Sequence, residues 1–401
     1  MKAITLRNIS VMTLLFVLGT GSGLANDSLK NEKFSPDASL FETVTNIQKK
    51  TDKFNLYLHT RGSFNAHFNK GFREGKFLMD ELRVEAKGNL ANWLSYHYRQ
   101  RLAGSNDRNN RADNLPSTID CASIGIQLNK RASLKLGKQS ATYGGIEFDQ
   151  NPIEIYELCD MEQNMECFMT GVNFGYDITP NHQINLQILN NRNASFNQTY
   201  GVTPNEQGEL PELKDTKLPI VYNINWNGNF YDVFKTRYSA AILSETKGHL
   251  MYYYALGNEL CLNKWNAFFD FMYSKEGIDR TGIISNIVGR LQGYNTTNVS
   301  YLALVAQCKY RFLPKWQVFA KGMYETASVD KCSEHAPKGK YRTSWGYLAG
   351  IEFYPMKSNL HFFLTYVGRS YDFTAHAIAK GQNNYNTHRI SAGFIWNMCV
   401  F

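Results

Sequence analysis

At 401 residues, with 43 basic against 35 acidic side chains, a formal net charge of +8, 19% charged and 14% aromatic residues, the chain is too apolar and too rich in rings to be a solvated disordered polymer. A mean hydropathy of −0.39, and no apolar run of roughly 18 residues past position 25, exclude a bundle of membrane helices. Abundant rings, a polar average and no long hydrophobic stretch are reconciled by one device, the alternation of apolar and polar side chains.

The chain opens with Lys2 and Arg7, an apolar core from Ile9 to Leu18, and mostly small residues through Ala25. That order specifies a cleaved export signal over residues 1–25, and no cysteine lies near to make it a lipoprotein signal. Its loss removes two cations and no acid, taking the net charge from +8 to +6, too small a surplus to argue for a nucleic-acid partner. Gly19-x-Gly21-x-Gly23 follows no strand and leaves with the signal, so it is not read as a phosphate loop. Residues 26–53 form a short N-terminal segment. Within it Leu40, Phe41, Val44 and Ile47 have helical spacing, which suits a short docking helix and almost equally an unstructured lead-in.

From Phe54 the period becomes two. Phe54, Leu56, Leu58, Thr60, Gly62, Phe64, Ala66 and Phe68 take one side, while Asn55, Tyr57, His59, Arg61, Ser63, Asn65 and His67 take the other. This is a strand with an apolar and a polar face. Leu78, Leu82, Val84 and Ala86 then oppose Glu81, Arg83, Glu85 and Lys87; Ala122, Ile124, Ile126 and Leu128 oppose Ser123, Gly125, Gln127 and Asn129; Trp316, Val318, Ala320, Gly322 and Tyr324 oppose Gln317, Lys321 and Glu325. Tight turns are expected at Gly88–Asn92, Asn129–Arg131, Thr179–His182, Gly228–Asp232, Leu262–Lys264, Leu313–Lys315 and Pro355–Ser358. Longer polar stretches lie between them at 104–119, 139–168, 192–219, 274–300, 326–341 and 371–386, with two shorter ones near 69–76 and 244–248. Seven turns and eight loops join sixteen strands.

Short connections on one side and long ones on the other predict an all-β fold, a transmembrane antiparallel β-barrel of about 16 strands over residues 54–401, with short periplasmic turns and long extracellular loops. Trp226, Trp265 and Trp316 flank the expected turns, as does Trp93, with Trp396 near the same side and Trp345 alone toward the opposite rim. Indoles gathered at one height mark a boundary between hydrocarbon and water. Trp93 falls on the polar parity, and so does the final Phe401 against Ile390, Ala392, Phe394, Trp396, Met398 and Val400, which requires a bulge or a register slip. A soluble sandwich would turn every 8–12 residues or so, whereas each strand pair here spans about 43 residues. The location that follows is the cell outer membrane, with its lipid as a partner.

The stretch Phe77 to Arg99, FLMDELRVEAKGNLANWLSYHYR, resembles the charged second strand, tight turn and Trp-led third strand of the phosphate-selective porin O/P family. Ala132 to Gln139, ASLKLGKQ, resembles the strand leading into that family's inward-folded loop. The resemblance implies a sixteen-stranded channel that assembles as a homo-trimer and passes anions or phosphate along basic side chains.

If the apolar face meets lipid, the polar face lines a lumen. Parity places Arg61, Arg83, Lys87, Arg99, Arg101, Lys135, Lys235, Arg237, Lys309, Arg311, Lys321 and Arg389 inward, with Glu81, Glu85, Glu259, Asp270 and Glu325 as opposing acids. The candidate pore-lining and anion-binding set is Arg61, Arg83, Arg99, Arg101, Lys135, Lys235, Arg237, Lys309, Arg311 and Lys321, with Arg61, Arg83, Arg99 and Arg101 the densest group. The cationic excess favours anions, although Glu81 and Glu85 are placed to neutralise part of it. The expected function is passive diffusion of small hydrophilic solutes with a mild anion preference, phosphate among the candidates. Residues 139–168, with Tyr143-Gly-Gly145 and acids at Glu154, Glu157, Asp160, Glu162 and Glu166, are the candidate loop folded into the pore; an external, solvated loop is the alternative. A sugar or hydrophobic-solute channel would use Tyr57, Tyr253 and Phe363 as a stacking track. A non-channel surface β-protein is a further alternative. Nothing resembles GxSxG, and His59, His97 and His361 have no evident triad partners, so no enzyme is expected. No metal or other cofactor is expected, since no His/Cys cluster has ligand spacing. Of the seven cysteines, Cys159 and Cys167 alone are close enough in one loop to suggest a disulfide.

Overall fold

A computed structural model describes residues 52–102, 117–203, 216–289, 293–333, 336–355 and 359–400. The export signal, the expected helix around 40–47 and Phe401 lie outside these residues. Sixteen strands follow in order: β1 (Asn55–Phe68), β2 (Phe72–Ala91), β3 (Leu94–Arg101), β4 (Ile119–Gln127), β5 (Ala132–Ser140), β6 (Phe168–Thr179), β7 (His182–Asn190), β8 (Ile220–Phe230), β9 (Phe234–Thr246), β10 (His249–Cys261), β11 (Trp265–Ile278), β12 (Thr297–Leu313), β13 (Trp316–Val329), β14 (Gly339–Phe353), β15 (Leu360–Phe373) and β16 (Tyr385–Cys399). Each is antiparallel to its neighbours in sequence, and β16 returns to pair with β1 from Tyr57↔Cys399 to Phe68↔His388. The sheet has no edge, so every ladder donor and acceptor can be paired in hydrocarbon.

One rim carries short connections, such as 92–93, 180–181 and 314–315; the other carries 102–118, 141–167, 191–219 and 279–296. Alternation is plain on β13, where Gln317, Phe319, Lys321, Met323 and Glu325 are buried while Trp316, Val318, Ala320 and Gly322 are exposed. Trp265 stacks on Tyr310 at 4.2 Å and Trp316 packs on Phe353 at 4.6 Å, both at the short-turn rim. Trp226 joins Phe230 and Tyr238 there.

The pairing shifts register at several points, and two departures from the expected pattern fall on β2. Between Arg61↔Glu81 and Gly62↔Met79 the ladder slips by one. The odd residue out, Asp80, accepts from Ser63 Oγ at 2.6 Å and Asn65 Nδ2 at 3.2 Å. A bulge exchanges faces: Phe77 pairs with outward Phe64, so Leu78 moves from the expected lipid parity to the inner one. The second departure is the turn expected at Gly88–Asn92. β2 runs through Ala91 instead and the turn is 92–93. Gly88 serves a close approach rather than a turn, since a Cβ there would collide with the Lys53 carbonyl. Trp93 therefore sits in the turn, 56% exposed, and has no face to violate.

The inner face is not uniformly polar. Leu243, Met251, Ala255, Met272, Ala303, Val305 and Met323 all point inward on β9–β13, and all are buried in one apolar cluster with Tyr143, Ile146, Met161, Phe196, Tyr200 and Ile284 from the long connections. A hydrophobic core thus lies inside the barrel, against one side of its wall.

Candidate functional site

The connection 141–167 builds this core. It leaves β5 with Ala141 N–H donating to the Cys167 carbonyl at 2.7 Å, closing its base. Tyr143 then stacks on Tyr253 of β10, ring centroids 5.4 Å apart. At Gly145 the backbone passes so near Asp270 of β11 that a Cβ would strike its carboxylate, and a Cβ on Gly257 would lie 2.6 Å from Ile146 N. The two glycines let Asp270 receive the Ile146 and Glu147 N–H groups, each at 2.8 Å. This accounts for the Tyr143-Gly-Gly145 motif.

Past that point the loop crosses to the opposite strands. Asp149 pairs with Arg237 at 3.2 Å, and Glu147 with Lys321. Arg61 donates to the carbonyls of Ile153 and Ile155 at 3.0 and 2.7 Å. Tyr156 lies flat on Phe319 at 5.0 Å, tilts against Phe363 at 4.9 Å, and donates to Glu352 at 2.8 Å. Glu157 pairs with Arg389 at 2.9 Å, and Asp160 with Arg342 at 2.6 Å and with Arg369. Glu325 caps the chain by accepting from Asp160 and Met161 N–H, each at 3.0 Å. The loop is therefore folded into the lumen. Glu147, Asp149, Glu157 and Asp160 answer cations of the barrel wall, while Glu154 accepts from Asn397 and Glu162 from the Cys159 thiol.

A separate cationic group occupies β2–β4. Arg83 Nη1 lies 2.7 Å from Asp120 Oδ2, Arg99 Nε 3.4 Å from the same oxygen, and Arg101 Nε 3.2 Å from Oδ1. Arg83 also meets Glu81 at 3.0 Å. Arg99 stacks over Phe168 at 5.2 Å, and Arg101 donates to the Ser117 carbonyl at 2.6 Å. Asp120 is fully buried, whereas the Arg101 side chain is 40% exposed. Three guanidiniums thus converge on the one buried carboxylate of Asp120, with Glu81 beside Arg83. A preorganised guanidinium fork suits planar oxyanions.

The structure thus divides the ten expected residues. Arg83, Arg99 and Arg101 converge. Arg61 instead holds loop carbonyls. Arg237 and Lys321 are neutralised by the loop. Lys135 lies in register with Gly125 of β4, next to the arginine group on the same side of the barrel. Lys235 pairs in register with Glu259. Lys309 is half-buried in register with Phe319, and Arg311, exposed at the short-turn rim, rests on Tyr354 at 5.1 Å. Asp120, Arg342, Arg369 and Tyr156 were not anticipated; the parity of β15, which puts Arg369 with Phe363 and Thr365, could have revealed one of them. The stacking track fails. Tyr253 and Phe363 have their rings covered by Tyr143 and Tyr156, and Tyr57 is buried beside Lys87. His59 and His97 share Glu85, at 2.8 and 2.6 Å. All seven cysteines are free, Cys159 and Cys167 included. Among the described residues no cluster of three His, Cys, Asp or Glu is placed to hold a metal ion.

The family described as phosphate-selective porin O and P matches residues 54–398, nearly the whole barrel. The chain belongs to that family. No curated protein matches it. Among solved structures, the porin resembles the anion-selective porin from Comamonas acidovorans (9% identity, 86% of this chain and 99% of that one, TM-score 0.53). It also resembles OmpF of Salmonella typhi in complex with daunomycin (9%, 86% and 98%, 0.54) and a loop-deletion mutant of OmpT from Vibrio cholerae (10%, 86% and 99%, 0.53). At such identities the likeness is one of fold, the sixteen-stranded closed barrel. Family and fold together make the porin an outer-membrane channel.

Proposed function

We propose that the porin passes small hydrophilic solutes passively with a mild preference for anions, inorganic phosphate among them. The observation that carries this reading is the Arg83–Arg99–Arg101 group around Asp120, together with the pairing of Glu147, Asp149, Glu157 and Asp160 with cations of the wall. Clustered guanidiniums between low-dielectric walls lower the barrier for anions and raise it for cations. We further read residues 1–25 as the cleaved export signal, the short-turn rim as periplasmic, and the working assembly as a homo-trimer; the family supports the last. Planar-bilayer recording of the purified protein in a salt gradient tests the proposal. Discrete conductance steps with a reversal potential on the anion side are expected. A cation-side potential overturns the preference while leaving the channel standing.

A further inference from the structure

Glu154, midway along the connection 141–167, meets the wall through an amide. Asn397 Nδ2 of β16 donates to Glu154 Oε1 at 2.7 Å. That contact fixes which way round the amide lies, because turning it over would set its oxygen against the carboxylate, acceptor against acceptor. The other end of the amide, Oδ1, is 2.6 Å from His59 Nδ1 of β1. An amide oxygen only accepts, so Nδ1 carries a proton. His59 Nε2 is 2.8 Å from Glu85 Oε2 of β2, and the other oxygen of that carboxylate faces His97 Nε2 at 2.6 Å and Lys87 Nζ at 3.6 Å. Glu85 is thus the acceptor of this group, and Nε2 donates to it. Both ring nitrogens of His59 are donors, and the ring, 1% exposed, is an imidazolium within the wall.

We propose that Asn397 is a positioning residue that passes the protonation of His59 to Glu154, tying the middle of the lumen loop to the wall only while the ring keeps its second proton. Without the Nδ1 proton the amide has two arrangements, and each breaks a contact. Oδ1 stays against a ring lone pair, or the amide turns over to donate to the ring and sets Oδ1 against the Glu154 carboxylate. The neighbours offer no substitute. Tyr57 of β1 lies alongside the ring, centroids 6.1 Å apart, in register with Cys399 of β16. Arg83 of β2 is in register with His59 but turns to Glu81 and Asp120, while Lys87 and His97 address Glu85. Near Glu154, His361 Nε2 of β15 stands 3.7 Å from Oε2, beyond hydrogen-bond length, and Arg61 is spent on the carbonyls of Ile153 and Ile155. A free imidazole keeps its second proton only below about 6.5. The docked arrangement needs that proton, so the relay is complete below that value and is lost as pH rises above it.

The inference rests on the lumen loop of the channel reading and not on its ion preference, so the test reads docking without current. Amide hydrogen exchange of the folded, full-length porin in detergent, located by peptide mass and referred to the intrinsic rate at each pH, gives the protection of residues 151–155. The Glu154 and Ile155 N–H groups there close on the Asn151 and Pro152 carbonyls. Ile146 and Glu147, held by Asp270 instead, are the internal standard. Relative protection of 151–155 is expected to fall about tenfold or more between about pH 6 and about pH 9, the worth of one hydrogen bond to a charged acceptor. In Asn397→Leu it should be low and flat at every pH. In Glu154→Gln it should be flat without the fall, because the new amide can meet either end of Asn397 and tolerates either state of the ring. Heat-modifiable gel mobility confirms that each variant is folded. A flat profile in the natural protein, or a fall of undiminished size in either variant, overturns the relay and leaves the anion preference untouched; in Asn397→Leu such a fall would belong to His361.

Discussion

Replacing Asp120 by Asn should make the porin more anion-selective. The carboxylate lies 2.7 to 3.4 Å from three guanidiniums, so its removal adds one unit of positive charge to the group. For a monovalent anion about 6 Å away, one added unit charge is worth roughly 0.7 kcal/mol at a dielectric constant near 80 and roughly 2.8 kcal/mol near 20. Screening at 0.1 M, where the Debye length is about 10 Å, cuts these by about half. Anion occupancy should then rise about two- to tenfold. Arg83 keeps Glu81, Arg99 keeps Phe168 and Arg101 keeps the Ser117 carbonyl, so the group is expected to persist while the barrel loses some thermal stability. The assay is the reversal potential across a salt gradient, with heat-modifiable gel mobility as the check on folding. A folded variant whose potential is unchanged, or moves to the cation side, refutes the reasoning.

Two further outcomes follow from the loop. Gly257→Val places a Cβ 2.6 Å from Ile146 N and should break both hydrogen bonds to Asp270, each worth about 1.5–3 kcal/mol to a charged acceptor; single-channel conductance should rise and become noisy, and an unchanged trace would mean the loop does not restrict the bore. Tyr156→Ala removes a ring packed between Phe319 and Phe363, a loss of about 3–5 kcal/mol in loop docking by analogy with other aromatic deletions. Liposome swelling with sugars should quicken in that variant and much less in Tyr156→Phe, which loses only the bond to Glu352; equal rates in all three proteins would contradict this.

The cylinder was legible because lipid imposes a rule on every strand. Alternation, the two classes of connection and the indoles at one rim all report that rule, and they recovered sixteen strands. What alternation cannot report is a glycine's reason for being there. Gly88 looks like a turn residue and is instead the site of approach for Lys53. Nor does parity say what an inward residue meets. Met251, Tyr253 and Met323 face inward like Arg83, but they meet the loop's apolar side rather than water. The destination of the loop depends on the gap made by Gly145 and Gly257 opposite Asp270, a contact between segments far apart in sequence. Arg237 and Lys321 were therefore identified as inward cations without a sign that acids of the loop would neutralise them. Asp120 went unnoticed because it shares the parity of Ala122 and Ile124, and only the register shift between Arg99 and Gln100, which leaves it unpaired in the ladder, brings it to the buried side.

The decisive measurement compares two sets of variants in one salt gradient. Arg83→Gln, Arg99→Gln and Arg101→Gln together should move the reversal potential toward cations, whereas Arg237→Gln with Arg389→Gln, which removes cations already matched by Asp149 and Glu157, should move it far less. Equal shifts from the two sets, or a larger one from the loop-matched pair, would contradict a conduction path that runs along β2–β4.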